Sequence, residues 1–283
     1  MIDSFVASWP LFHDAYLTAW LLAMLLSLAG VLVVARNQLF LGAAVAQAST
    51  LGVAAALAVP ALLGWHPQWL EPDAVAAAMA VTFAIGAALA MDAVQGSRAE
   101  DAPSGWVFLV GGTGSVLLVA HSPHGLEEVH RLAASSIIGT TALDVGVFAA
   151  LLLAAGALLW LSMDRLLLVT LEPTLAEALG ISVRTWRIAL AALTGLVLGL
   201  AIRASGFLYT FGSLILPALA ARSVCREVRP MFLISPAIAL VCSVTGCVLA
   251  NHYDLPPGQA AVALQCAAVV IAHGGGRLRR QRS

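Results

Sequence analysis

Few side chains in this sequence could do chemistry, and most of them fall in four places. Gln47 and Thr50 lie three residues apart in an apolar run. On a helix that spacing puts both on one face, a polar stripe that either lines a water path or hydrogen-bonds a neighbouring helix. His121, His124, Glu127, Glu128 and His130 crowd one stretch, with Asp144 beyond it. Imidazole and carboxylate are ligands for divalent cations, so these residues could gather one at a pore mouth. Their spacing is that of neither a zincin nor a zinc finger, and a solvated loop with incidental histidines is the competing reading. The third place is Glu172 to Gly180. Glu172-Pro173 has the marks of a helix start and Gly180 of its stop, with Leu175, Ala176 and Leu179 forming a short amphipathic piece between them. Such a piece suits docking of a partner protein, or is an ordinary interfacial loop. The fourth runs from Gly206 through Gly212 to Pro217, where glycine and proline should break a helix and could form a gate.

Enzymatic chemistry finds little support. Gly212-Ser213 resembles half of an intramembrane hydrolase site, but the segments around it hold no histidine to act as base. All fourteen cationic side chains are arginine, so the usual Walker A motif, which needs a lysine, is absent. No catalytic residue and no bound cofactor are expected. Cys225, Cys242, Cys247 and Cys266 lie in or beside apolar runs without CxxC spacing, and read as small buried hydrophobes.

The elements that must position these residues belong in lipid. Of 283 residues 61% are hydrophobic and 10% charged, against about a quarter charged in a soluble domain. With a mean hydropathy of +0.95, the chain could not keep its surface wet. Nine apolar segments can be marked, at 15–35, 39–63, 74–95, 104–121, 142–163, 186–203, 206–223, 231–250 and 258–273. None alternates as barrel strands do, so the expected fold is all-α: a polytopic helical bundle of eight or nine spans forming one membrane domain over 1–283. Placing the N-terminus outside and the C-terminus inside gathers twelve of the fourteen arginines on the inner face, including the basic tail 274–283, and leaves only Arg131 and Arg203 outside. Loop 64–73, with Trp65 and Trp69 but no arginine, then suits an outer interface. Glycine- or proline-rich interruptions are expected at Gly111–Gly114, at Gly206–Pro217 and at Pro256–Gly258.

Five stretches carry a resemblance. Leu171-Glu-Pro-Thr-Leu-Ala-Glu-Ala-Leu-Gly180, followed after one span by Gly206 through Leu216-Pro217 to Arg222, resembles permeases of the zinc, manganese and iron ABC importers, and more distantly those for vitamin B12 and siderophores. Phe40-Leu-Gly42 through Leu51-Gly52-Val53, Ser135-Ser-Ile-Ile-Gly139 with Asp144, and Asp254-Leu-Pro-Pro-Gly258 are similar to further stretches of the metal group. The likeness covers residues 36 to 270 and implies a type II importer-like permease in the cytoplasmic (inner) membrane. It implies that a coupling helix over 172–182, with Glu172, Ala176 and Gly180, sits in a cleft of a separate ABC ATPase, which uses the ATP and magnesium. It further implies an extracytoplasmic solute-binding protein and a dimer with a second copy or a paralogue. Membrane lipid is the remaining partner; no nucleic acid is expected.

The resemblance fails at one informative place. The metal group carries an Asp and a His four residues apart in its second span, and those positions fall on Ala43 and Gln47. Ala43 cannot ligate, and Gln47 offers only a neutral oxygen. Ser136 stands where an acid is frequent, and Leu51 where a proline is. Three readings follow: a metal held by weaker or relocated ligands, a metal chelate or small organic solute, or one half of a heterodimer whose partner keeps the ligands. The expected substrate path runs through Gln47, Thr50 and Asp144. An ion-coupled secondary transporter is the alternative class, but it often needs an acid at the midplane, and Asp92 and Asp144 lie near span ends.

Overall fold

A computed structural model of the chain describes residues 2–63, 72–94, 101–120 and 137–280. Its helices are α1 (Ile2–Ala35), α2 (Leu39–Leu63), α3 (Pro72–Val94), α4 (Asp101–Val119), α5 (Ala142–Leu171), α6 (Pro173–Ala178), α7 (Val183–Val224), α8 (Val228–Tyr253) and α9 (Pro257–Arg280). Eight of them are long and apolar enough to cross a membrane, and α6 is not. The expected all-α bundle is therefore the fold. Loop 64–71 and the stretch holding His121, His124, Glu127, Glu128 and His130 lie outside the described residues.

One expected helix break needs correction and another is narrowed. The segments 186–203 and 206–223 are the two helical arms of α7, and the break expected from Gly206 to Pro217 falls on Gly206 alone. Gly206 has φ 76° and ψ 172°, a region open essentially only to glycine, which is why the sequence stops being helical there. Pro217 sits inside the second arm without ending it. The glycines at 111, 112 and 114 do not interrupt α4 at all; they serve contact with α2. At the third place the chain does turn. Asp254 takes a left-handed conformation, the Leu255 amide caps the Ala250 carbonyl at 3.0 Å, and Pro257 opens α9.

Contacts divide the chain into two compact units, 1–37 with 135–181 and 208–283, and 38–134 with 182–207. The second holds α2, α3, α4 and the first arm of α7, joined by small residues. Gly52 on α2 abuts the Met79 carbonyl on α3. A Cβ at Gly111 on α4 would lie 2.7 Å from the Gln47 carbonyl carbon on α2. Lipid tails are as apolar as leucine, so close backbone approach, not hydrophobic exclusion, holds such helices together.

The other unit holds α1, α5, α6, α8, α9 and the second arm of α7. Gly30 of α1 meets the Leu214 carbonyl of α7, and a Cβ at Gly246 of α8 would stand 2.6 Å from the Ala261 Cα of α9. Here hydrogen bonds add to packing. Tyr209 donates to the Ala19 carbonyl at 2.7 Å and meets Ser243 Oγ at 3.0 Å, while Gln265 Nε2 donates to Ser213 Oγ at 3.1 Å. All four side chains are fully buried.

Candidate functional site

The coupling segment is built by two caps placed back to back. Glu172 leaves helical geometry (φ −134°, ψ 66°), and its amide donates to the Leu168 carbonyl at 2.9 Å, ending α5. Its own carbonyl then accepts the Ala176 amide at 3.0 Å, starting α6 with Pro173 at the first helical position. Gly180, at φ 77°, closes α6: its amide reaches the Glu177 carbonyl at 2.9 Å and the Ile181 amide reaches Ala176 at 3.0 Å. A β-branched or bulky residue would strain that position. Ala176 is fully buried, whereas Leu171, Leu175 and Leu179 are 45%, 50% and 65% exposed. Leu175 and Leu179, four apart, share one side of α6 and its C-cap, while Leu171 ends α5 just before the break at Glu172. The amphipathic piece read from the sequence is thus split. Ala176 anchors α6 to its own chain, and the leucines are left for something else.

Of the residues expected along the substrate path, Gln47 and Thr50 stand in one unit and Asp144 in the other. Thr50 is buried, and its hydroxyl bonds back to the Ala46 carbonyl at 3.2 Å, so its polarity is spent within α2. Gln47 is half-buried and leans on the glycine face of α4, where a Cβ at Gly112 would stand 3.5 Å from Gln47 Oε1. Ala43, one turn away, is 3% exposed. Asp144 does structural work: its Oδ2 accepts the Thr141 amide at 2.9 Å and the Thr141 hydroxyl at 3.1 Å, which caps the start of α5. Among the gate residues, Gly206 is the break, while Gly212 packs against Val262. Among the described residues, no group of three His, Cys, Asp or Glu side chains could hold a metal ion.

One pair went unread in the sequence. Arg187 of α7 donates through Nε to Asp92 Oδ1 at 3.0 Å and through a terminal nitrogen to the Asp92 carbonyl at 2.6 Å. An acid in the last turn of an apolar span was the available signal, because such a charge needs a partner.

A bundle of apolar helices with one short capped helix between spans is an architecture that many transport proteins could share, so comparison with known proteins decides among them. The model of the ABC 3 transport family matches residues 8–274. The chain belongs to that family. ABC 3 membership makes it a membrane-spanning transport protein. Over 269 residues it is 23% identical to the manganese import system permease protein ScaB of Streptococcus gordonii, covering 93% of this chain and 91% of that one. Its fold is that of PsaBC from Streptococcus pneumoniae, solved in complex with Fab: TM-score 0.78, 21% identity, 96% of this chain and 95% of that one. A metal-chelate type ABC transporter in an inward-facing conformation shares the fold at TM-score 0.70 and 16% identity, over 93% and 87%.

Proposed function

We propose that this ABC 3 protein is the permease subunit of an importer for a divalent first-row cation, with manganese the first to test. Family membership supports the transport role, and the likeness to a permease named for manganese import supports the cargo. The observation that carries the mechanism is α6. It is held from within by Ala176 and both caps, and it presents Leu175 and Leu179 outward, with Leu171 exposed just before it. On this reading those leucines fill a cleft on a separate ATPase, which alone binds ATP and magnesium; this chain holds neither. Two permeases, identical or paralogous, enclose the path, and an external binding protein delivers the cation. Coupling is then mechanical: hydrolysis shifts the population between two arrangements of the bundle. With each arm of α7 counted as its own span the chain makes nine crossings, so the N-terminus faces out and the C-terminus in, the arrangement that collects the arginines on the inner side.

Ala43 and Gln47 bear on the cargo. A buried methyl group and one neutral amide make a weak first-row metal site, so the cation passes with few ligands from this stretch. The same fact favours a second reading, a permease for a metal chelate whose ligands travel with it. Uptake of radioactive manganese into proteoliposomes that contain this chain, its ATPase and the binding protein tests both. ATP-dependent manganese entry that a chelator abolishes supports the first. Entry only of a preformed chelate supports the second. Leu179→Asp should reduce recovery of the ATPase with the purified permease at least tenfold, and full recovery would remove α6 from the docking role.

A further inference from the structure

The Asp92–Arg187 pair is used neither by the proposed docking surface nor by the cargo path, yet Arg187 follows Gly180 by seven residues and Asp92 shares a compact unit with Gln47. Arg187 stands in the second turn of α7, just beyond the turn through Gly180 that leaves α6. Its guanidinium holds both the carboxylate and the main-chain carbonyl of Asp92, in the last turn of α3, where the helix dipole favours a cation. Asp92 is only 9% exposed. From this pair, α3 and the first arm of α7 run antiparallel with their backbones in contact. A Cβ at Gly195 would lie 2.6 Å from the Ile85 Cα, and one at Gly199 would lie 2.8 Å from the Val81 Cα. α3 abuts α2 in turn through Gly52, and α2 carries Gln47. Everything from Arg187 to Gln47 belongs to one compact unit.

We infer that Asp92 and Arg187 are positioning residues for coupling. They lock the start of α7 to α3, so that a displacement of Pro173–Leu179 reaches α2 and Gln47 instead of being absorbed at Gly180. The inference rests on the proposed function. Without the lock, the turn through Gly180 joins α6 to a helix end that has lost its ion pair to α3. With it, α7 cannot tilt away from α3 without separating a partly buried ion pair and freeing a helix-end carbonyl. The planar fork of arginine is needed to hold both acceptors; a lysine holds one at a time.

The test uses the permease–ATPase complex with its binding protein in proteoliposomes, with manganese(II) as the probe, and reads manganese moved per ATP hydrolysed. Arg187→Met should assemble and hydrolyse ATP at half the wild-type rate or more, yet move at least tenfold less manganese per ATP. Arg187→Lys should fall between the two, and the exchanged pair D92R/R187D should regain at least threefold over Arg187→Met. If Arg187→Met fails to assemble, Asp92→Asn is read in the same way, since it keeps the side-chain volume and weakens only the charge. A ratio within twofold of wild type in whichever variant assembles overturns the inference alone. A wild-type complex that carries no manganese overturns the proposed function and this inference with it.

Discussion

Replacing Gly111 by alanine tests the packing that places Gln47. A Cβ there would stand 2.7 Å from the Gln47 carbonyl carbon, 2.8 Å from its oxygen and 2.9 Å from the Ala48 nitrogen. All three neighbours are backbone, so no rotamer change can yield; ordinary contact begins at 3.4 Å, and α2 and α4 must part locally by about 0.7 Å. Overpacking of this kind costs about 1–3 kcal/mol. For a chain of this size that corresponds to a fall of roughly 2–12 °C in the melting temperature. Gly105 provides the control on the same helix, because a Cβ there meets nothing within 4 Å. Gly105→Ala should be neutral or stabilising by about 0.5–1 kcal/mol, since alanine is the better helix former. The assay is thermal unfolding of the purified protein in one detergent, followed by the fraction that remains monodisperse. Both substitutions add the same methyl group to α4, so composition and detergent binding cancel. Gly111→Ala melting at or above Gly105→Ala would refute the contact and, with it, the seat assigned to Gln47.

Four more expectations follow from named contacts. Gln47→Leu should keep the fold and reduce manganese uptake at least tenfold; full uptake by a folded variant takes Gln47 off the path. Gly206→Ala forces a side chain into backbone space reserved for glycine and should destabilise by about 1–3 kcal/mol in the same melting assay, whereas an unchanged midpoint would mean that the break at 206 is not fixed. Tyr209→Phe removes one interhelical hydrogen bond to α1 and another to α8, and should cost about 0.6–1.7 kcal/mol for each while leaving uptake per folded molecule unchanged. Cys225 tests orientation: maleimide should reach it only in inverted vesicles. Burial pushes its thiol up, so a smaller fraction is thiolate at neutral pH, and the labelling rate should climb as pH rises from 7 to 9.

What the sequence made legible follows from lipid as solvent. Long apolar runs had to be helices, because only helices satisfy their own backbone there, and eight such helices are present. The caps at Glu172 and Gly180 were legible because proline and glycine act locally. The glycines of α4 misled for the opposite reason. Glycine marks either a break or a close approach, and only the partner helix decides which; Gln47 and Ala48 of α2 decide it for Gly111. The type and place of Asp144 point to the path, and an acid three residues after Thr141 also completes a helix cap, a second use that Asp144 makes here. Asp92 and Arg187 meet across 95 residues of sequence, which no local pattern encodes.

Polar side chains buried in lipid have two uses, and this chain separates them by unit. The hydroxyl of Tyr209 has one proton, which goes to the Ala19 carbonyl, so Ser243 must donate to Tyr209; Gln265 and Ser213 satisfy one another in the same way. In this network every side chain is fully buried and hydrogen-bonded, at 2.7 to 3.4 Å, so an ion passing there would have to break those bonds. Its role is to fix the register of α1, α7, α8 and α9. Gln47 differs on each point. It is half-buried, it rests on a glycine surface with no side chain of its own, and its helix is tied through Gly52 and the α3–α7 pair to the one ion pair that clamps two spans together in that unit among its described residues. Rigid support with an amide that has no hydrogen-bond partner among the described residues suits the lining of a selective passage; rigid support with hydrogen-bonded side chains suits a scaffold. The proposed cargo path is therefore tested first on α2, beside Gln47, ahead of the core around Tyr209.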